Sequence, residues 1–302
     1  MTILYKYYKS YSKNIFINPK LKLTPPSHLN DPFERKIPHG IEAIILESHL
    51  GHFITESQKA NNIHHSEKHT INMLEKTLGS IGITAMSENP DSILMWSHYA
   101  DSHNGICVGY DISKINNENM RLLEIDYSAK RFEQSDITKN LLTLPSMIET
   151  IIDKVITTKS KKWSYEDEHR YITQLNYANE ILIVVDKREE KKTINFLESQ
   201  NGGKYLYDSL EITYDNDSVT IKAIIKRIID PLLVEKLVGY KNISFYKNID
   251  QDCIKEIFIG CNSEISAEDV SSVLKDNNLV NIEVNKYKVS DTEFKLEIID
   301  ND

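Results

Sequence analysis

Three charged side chains at a spacing of two residues constrain the fold of this chain most. They are Glu166, Glu168 and Arg170, within the stretch Lys162–Tyr171. Because side chains alternate along a β-strand, this spacing predicts a strand that presents all three on one face. Two carboxylates side by side are unfavourable in a sheet unless a cation offsets them. The row is therefore either a solvated face with an arginine–glutamate pair or the wall of an anionic pocket.

A second stretch brings ring side chains together. Trp96, His98 and Tyr99 lie within four positions and follow the turn-like sequence of residues 89–91. Each of these residue types carries a polar group that needs a partner when it is buried. Ordinary core packing is one interpretation, but a ring-shaped ligand suits the cluster better. We predict that these rings face the same cleft as Glu166 and Glu168.

Composition limits the class of protein. The 302 residues have a net charge of −9 and are 40% hydrophobic, as in globular proteins. The negative charge argues against a broad nucleic-acid surface, although four lysines within residues 154–162 leave room for a local basic groove. No apolar run reaches the length of a membrane span, so no membrane association is predicted. The three widely spaced cysteines favour neither disulfides nor zinc, and the expected location is the cytoplasm.

Several familiar motifs are missing from the sequence. It contains no dinucleotide fingerprint, no Walker motif and no Gly-x-Ser-x-Gly elbow. His65 and His69 have the spacing of zinc ligands on a helix, but no His-Glu-x-x-His pattern accompanies them. We therefore predict no metal site and neither a Rossmann nor a P-loop fold.

Hydrophobic periodicity predicts an α+β fold with irregular mixed or antiparallel sheets and flanking helices. Prolines and an Asn-Asp-Pro turn predict a rigid, ordered loop over residues 21–33, with Asn30 at the mouth of the cleft. Strands are predicted at residues 4–8, 80–87, 105–110 and 180–186. Helices are predicted at residues 40–52, 67–78, 145–156 and 220–240, with Pro231 breaking or kinking the last.

The carboxyl-terminal segment has the clearest pattern. A short apolar strand at residues 256–260 precedes a capping box at residues 266–269, a helix and two alternating strands at residues 281–288 and 293–299. We predict a main domain over residues 1–250, which carries the cleft, and a β-α-β-β extension over residues 251–302 that packs on it.

Blocks of sequence spread over residues 4–172 resemble the domain-of-unknown-function 2971 (DUF2971) family of bacterial proteins. The blocks are LYKY at residues 4–7, LTPP at 23–26, LNDPFE at 29–34, MWSHYA at 95–100, GICVGYD at 105–111 and WSYEDEHR at 163–170. Their order is also similar to that of the ADP-ribosyltransferase superfamily. This second resemblance implies a split β-sandwich with NAD bound in a cleft between two small sheets.

The same resemblance assigns roles to particular residues. The first-strand position, which holds the nicotinamide ribose and is arginine or histidine in most such enzymes, corresponds to Lys6 with Tyr5 and Tyr7. The position that supports the nicotinamide corresponds to Ser87 or to His98 and Tyr99. Glu168 bonds the ribose and stabilises the developing positive charge. Glu166 orients or deprotonates the nucleophile of the acceptor. Arg170, or the lysines of residues 159–162, holds the pyrophosphate. The residues expected to bind NAD are Tyr5, Lys6, Tyr7, Asn30, Ser87, Trp96, His98, Tyr99 and Arg170.

The expected function is an NAD-dependent ADP-ribosyltransferase that uses NAD as a substrate and needs no metal. It would act as an intracellular toxin or phage-defence effector on a protein or nucleic-acid acceptor, with an antitoxin as a further partner. One alternative is a metal-dependent nuclease or phosphodiesterase that binds Mg²⁺ through Asp31, Glu34, Glu166 and Glu168 and contacts phosphate through Lys162. The other alternative is a non-catalytic domain that senses a nucleotide or a partner.

Overall fold

A computed structural model of the chain describes residues 2–38, 40–41, 56–115, 119–132, 144–199 and 207–299. The described strands are β1 (Ile3–Tyr8), β2 (Lys20–Leu23), β3 (Ile81–Ser87), β4 (Ile106–Asp111), β5 (Arg121–Glu124), β6 (Asp126–Ser128), β7 (Thr158–Ser160), β8 (Glu168–Gln174), β9 (Glu180–Asp186), β10 (Tyr207–Tyr214), β11 (Ser218–Ile225), β12 (Ile243–Asn248), β13 (Ile254–Ile259), β14 (Glu283–Val289) and β15 (Leu296–Ile298). The helices in these ranges are α1 (Asn14–Ile17), α2 (Glu56–Gly79), α3 (Ile93–Tyr99), α4 (Leu144–Thr157), α5 (Glu190–Ser199), α6 (Pro231–Val238) and α7 (Ala267–Asp276).

The strands form two large sheets and one small one. The larger sheet has eight strands in the order β15-β14-β13-β4-β1-β3-β8-β5, and the second has five in the order β10-β11-β9-β12-β2. The neighbours in both are antiparallel except for the parallel pair β13–β14. Strands β6 and β7 form a separate parallel pair. Mixed sheets with flanking helices confirm the predicted α+β class.

Strand β3 links the two large sheets. At its end, Ser87 pairs with Tyr5 of β1, and this single register pair joins β1 to β3. Four residues earlier, Ile83 forms an antiparallel bridge with Thr24, directly after β2. The Lys6 ammonium donates to the carbonyl of Ala85, between these two points, at 3.1 Å. The sheets therefore diverge along the edge of β3, which leaves a cleft beside Ala85.

Four hydrophobic clusters stabilise this arrangement. One lies within the five-stranded sheet and α6, and another packs Leu74 of α2 and Ile151 of α4 on Ile83 and Ile172. A third joins β1 and β4 to β13 and α7, and the fourth surrounds Trp96. The helices α2 and α4 thus cover the strands that carry Ser87 and Glu168, and they hold these strands in position.

The predicted helix at residues 220–240 is wrong in its first part. Val219, Ile221 and Ala223 are buried in alternation, so this segment forms β11 between β9 and β10. Pro231 begins helix α6 rather than interrupting one, because proline at the first helical position sacrifices no hydrogen bond. Of the predicted helix at residues 40–52, all but the first two positions lie outside the described residues.

The carboxyl-terminal segment agrees with its prediction. Ser266 and Asp269 form the predicted capping box at the start of α7. Strand β13 pairs with β4, so β13, β14 and β15 continue the eight-stranded sheet. The domain boundary at residue 250 stays a prediction, because the strands on its two sides share one sheet. None of the helices in the described ranges is both long enough and apolar enough to span a bilayer.

Candidate functional site

A cavity of about 280 Å³ lies where the two large sheets diverge. Its walls come from β1, β2 and β3, the loop after β2, helix α3 and the segment from β7 to β8. Among the predicted site residues, those that line it are Tyr5, Lys6, Tyr7, Asn30, Ser87, Tyr99, Glu166, Glu168 and Arg170. Two residues of the predicted set, Trp96 and His98, do not line it. The structure therefore brings most of the predicted site together from five separate parts of the chain.

The two glutamates reach the cavity from different elements. Glu166 ends a 3-10 helix, Lys161–Glu166, and Glu168 begins β8. Between them Asp167 adopts a left-handed conformation with φ 41°, which redirects the chain. The prediction that Glu166, Glu168 and Arg170 share one strand is thus wrong for Glu166, because the alternation rule applies only within a continuous strand.

Lys159 brings the two carboxylates together. Its ammonium bonds Glu168 at 2.8 Å and also bonds Glu166. All three side chains are buried. Lys159 also lies over the ring of Trp163, 5.1 Å from the centroid, in a cation–π contact. One cation therefore holds both members of the Glu-x-Glu pair in the cavity wall.

Arg170 is an internal anchor. Its guanidinium donates to both oxygens of Glu168, at 2.7 and 3.0 Å, and to the carbonyl of Ile156 at 2.5 Å. It also pairs with buried Glu34. With most of its donors used inside the protein, Arg170 does not fit the predicted role of holding a pyrophosphate. The same applies to Lys159, whose charge is paired with Glu166 and Glu168.

The pKa values of the two glutamates move in opposite directions. Burial opposes ionisation of Glu168, but the nearby charges of Arg170 and Lys159 outweigh it and lower the pKa to about 2. Burial is the larger effect at Glu166 and raises its pKa above the ordinary value, against the attraction of Lys159. Glu168 is thus the member of the pair that stays ionised at neutral pH, and Glu166 is the member better able to exchange a proton.

The loop after β2 closes one side of the cavity. Asn30, Asp31 and Glu34 line it, as the predicted ordered loop requires. The Tyr99 hydroxyl donates to Glu166 at 2.5 Å, and the Asn30 amide donates to the Tyr99 hydroxyl at 3.4 Å. This chain of hydrogen bonds connects the loop to the proton-exchanging glutamate.

Two lysines on the other side of the cleft add positive charge. Lys6 and Lys22 both line the cavity, and no carboxylate of the described residues forms an ion pair with either. Burial and the neighbouring Lys22 lower the pKa of Lys6 to about 8. Sequence reasoning missed Lys22, as it missed Trp163 and the pairing role of Lys159. The alternation of residues 20–23 marks a strand, but nothing local shows that this strand borders the cavity.

Trp96 belongs to the hydrophobic core. It is fully buried, its indole N–H donates to the carbonyl of Pro90 at 2.8 Å, and its ring packs edge-to-face on Tyr7 and Tyr287. Its polar group therefore has a protein partner, and the prediction that Trp96 faces the ligand is wrong. Tyr5 and Tyr7 also use their hydroxyls within the protein, on Glu256 and on the carbonyl of Asn89.

His98 lies outside the cavity, on the exposed side of α3. Its ring is 6.2 Å from the ring of Tyr99 and 6.1 Å from that of Tyr165, measured between centroids. The period of a helix explains the difference: Met95 and Tyr99, four residues apart, line the cavity, and His98 points to another side.

Residues 95–171 match the model of the DUF2971 family, which is described as a protein of unknown function. The family resemblance inferred from the motifs is thus confirmed over this segment, which carries Tyr99, Lys159, Trp163 and both glutamates of the cavity. No curated protein and no solved structure matches the chain.

Among the described residues, no group of three or more histidine, cysteine, aspartate or glutamate side chains has the arrangement of a metal site. The side chain of His65 lies outside the described residues, so its predicted relation to His69 is not tested.

Proposed function

We propose that the cavity binds NAD and that the chain transfers ADP-ribose from it to a macromolecular acceptor. The observation that carries this proposal is the pair of buried glutamates, Glu166 and Glu168, in a cleft between two sheets. Environments that separate the pKa values of two carboxylates are typical of sites where one acts by charge and the other by proton transfer. The family resemblance gives no activity, so the proposal depends on the site.

The charge balance of the buried cluster suits this chemistry. Lys159 and Arg170 supply two positive charges, and Glu34, Glu166 and Glu168 supply three negative ones, which leaves one negative charge. Cleavage of the nicotinamide–ribose bond creates positive charge on the ribose, as in glycoside hydrolysis. Lys6 and Lys22 balance the charge of the lining as a whole, so the carboxylates of Glu166 and Glu168 must stabilise that state locally.

The two glutamates have different roles in the proposed reaction. The bond between ribose C1′ and the nicotinamide nitrogen breaks, and its electron pair leaves with the neutral nicotinamide. A nucleophilic atom of the acceptor forms the new bond to C1′ and passes its proton to Glu166. Ionised Glu168 stabilises the positive ribose, and Lys159 holds both carboxylates in place. Rings of Tyr99 and Trp163 in the cavity wall offer packing surfaces for the nicotinamide.

The size of the cavity fits part of a dinucleotide. At about 280 Å³ it lies near the lower end of small-molecule pockets, which begin at about 300 Å³. We therefore place the reacting nicotinamide riboside inside it, and the adenosine half towards solvent.

The alternatives predicted from the sequence remain testable. A magnesium site made from Asp31, Glu34, Glu166 and Glu168 is less well supported, because Arg170 and Lys159 already bind oxygens of Glu34 and Glu168. A non-catalytic sensor would use the same cavity without cleaving its ligand. In cells, a transferase of this kind would act as a toxin or a phage-defence effector on a host component.

The test is NAD consumption by the purified chain in the presence of cell lysate. Glu168→Gln keeps the size of the side chain but removes the charge, so we expect NAD cleavage to fall about 10²–10³-fold. Glu166→Gln should slow transfer and spare NAD hydrolysis. The matched control is Glu88→Gln, an exposed glutamate that does not line the cavity.

Circular dichroism of each variant separates loss of chemistry from loss of fold. An active, folded Glu168→Gln variant would contradict the transferase proposal. Activity that disappears on chelation with EDTA would support the nuclease instead, and ligand binding without NAD cleavage would support the sensor.

A further inference from the structure

The mouth of the cavity carries a cluster of aromatic rings, which we name the aromatic rim: His98, Tyr99, Trp163 and Tyr165. The ring centroids of successive members are 6.1–6.2 Å apart in the order Tyr99, His98, Tyr165, Trp163. Tyr99 and Trp163 line the cavity, whereas His98 and Tyr165 continue the cluster outside it. The rings therefore extend from the site of the glutamates to the protein surface.

The rim is too exposed for an ordinary core cluster. His98 is exposed, and Tyr99, Trp163 and Tyr165 are partly exposed. Sites that bind single-stranded nucleic acid use such rings because every base has an apolar face that stacks on them. The rings alone do not separate this ligand from an apolar peptide.

The charge beside the rings distinguishes a nucleic acid from an apolar peptide as the ligand. Lys161 and Lys162 are exposed on the same 3-10 helix that carries Trp163 and Tyr165. Neither lysine forms an ion pair with a carboxylate of the described residues. Unpaired cations beside aromatic rings match the phosphate backbone and the bases of a nucleic acid strand.

We propose that the aromatic rim binds single-stranded nucleic acid and presents one of its bases to the cavity as the acceptor. The acceptor role rests on the proposed transferase function, but the binding itself does not. A base stacked on His98 lies next to Tyr99, which bonds Glu166. The glutamate assigned to the acceptor's proton is thus bonded directly to a member of the rim.

The binding test uses a fluorescein-labelled 12-nucleotide DNA strand, the equivalent RNA strand and a DNA duplex, measured by fluorescence anisotropy at low salt. We expect the single strands to bind more tightly than the duplex. Tyr165→Ala should weaken binding about tenfold, and Tyr165→Phe should retain it because the ring remains. Equal loss in both Tyr165 variants, or preference for the duplex, would overturn the proposal.

The salt dependence tests the lysines. Replacing both Lys161 and Lys162 with alanine should reduce the slope of log affinity against log salt by about 0.7 for each phosphate that the protein no longer neutralises. The control replaces two exposed lysines far from the rim along the chain, Lys241 and Lys275, which removes the same total charge. Equal slopes in the two double variants would show that the rim binds no phosphate.

A transfer assay separates this proposal from the preceding one. With NAD labelled on the adenylate phosphate, we expect label on the added single strand and little of it with Tyr165→Ala. NAD cleavage with label in protein only would overturn the rim proposal and leave the transferase intact. Binding of the nucleic acid strand without NAD cleavage would overturn the transferase proposal and leave the binding role of the rim intact.

Discussion

At the scale of single residues, the site depends on a buried network of five charged groups. Glu34, Lys159, Glu166, Glu168 and Arg170 are all less than a tenth exposed. Removing one partner from a buried ion pair typically costs about 3–5 kcal/mol, because the other charge is then left without compensation. Function and stability are therefore coupled here, and substitutions in the network need a folding control.

Acid stability tests the state of Glu168. Its pKa is about 2 in the folded protein, below the ordinary value of 4.5. A folded pKa below the unfolded one gives stability that is present above about pH 4.5 and lost as the pH falls towards 2. The shift corresponds to about 3 kcal/mol, most of which should be lost by about pH 3.

Urea unfolding of the parent and of Glu168→Gln at pH 7, 4 and 3 measures this effect. The difference in unfolding free energy between the two proteins should shrink as the pH falls. The raised pKa of Glu166 acts with the opposite sign, and because the charge of Glu168 contributes to raising it, this opposing effect is smaller in the variant and offsets part of the expected change. A difference that stays constant with pH would mean that Glu168 is not held ionised.

Tyr99→Phe tests the link between the rim and Glu166. The substitution removes the hydroxyl that donates to Glu166, so the ionised carboxylate accepts one hydrogen bond fewer. We expect the pKa of Glu166 to rise further, which NMR titration of ¹³C-labelled glutamate measures directly. NAD transfer should then fall more at pH 6 than at pH 8, and an equal fall at both values would contradict the role of Glu166 as proton acceptor.

At the scale of elements, the junction of β1, β4 and α3 depends on close backbone approach at Gly105. A Cβ atom at this position would lie 2.0 Å from the carbonyl oxygen of Tyr8. Three residues just before it, Asp101, Ser102 and His103, have positive φ angles. This turn returns the chain from α3 to β4, and it leaves no space for a larger residue at position 105.

Gly105→Ala should therefore destabilise the protein by on the order of 3 kcal/mol or more, measured by urea unfolding. The matched control is Gly79→Ala at the end of α2, where an added Cβ meets no atom within 4 Å. Alanine is also the better helix former, so the control should leave stability unchanged or raise it by up to about 1 kcal/mol. Equal effects at the two positions would contradict the close approach.

Elements with a strong local pattern were predictable from the sequence. The capping box of α7 and the apolar strand β9 have signals within a few residues. Strand β11 was mistaken for a helix because its apolar residues fit either period, and only its pairing with β9 and β10 decides between them. Glu166 was misplaced because Asp167, although aspartate adopts the left-handed conformation more often than most residues, gives only a weak signal of a turn.

At the scale of the whole molecule, the composition of the cavity was only partly predictable. Polar residues in unusual local clusters, such as Glu166 and Glu168, were found because their chemistry is visible in one short stretch. Lys22 was missed because its place in the cavity follows from the meeting of two sheets at β3. Trp163 was missed although its contact with Lys159 is local. Trp96 was assigned to the site because a partner as distant in sequence as Tyr287 is invisible to local reasoning.

Truncation after Asp250 tests whether the two predicted domains are independent. Leu4 and Val108 share a core with Ile257 and Val270, and β13 lies between β4 and β14 in the sheet. We expect residues 1–250 alone to lack a cooperative thermal transition in circular dichroism, because removal of β13 and α7 exposes that core. A cooperative transition in the truncated chain would instead support the boundary at residue 250.

The bridge from β3 to the chain directly after β2 has a kinetic consequence. A hinge motion between the sheets would break the bridge of Ile83 with Thr24. We therefore expect ligands to enter by rotation of side chains at the mouth, on the picosecond-to-nanosecond scale, rather than by slow domain closure. Free and occupied forms should then share one backbone conformation, and the association rate should be set by diffusion and by charge rather than by a conformational gate.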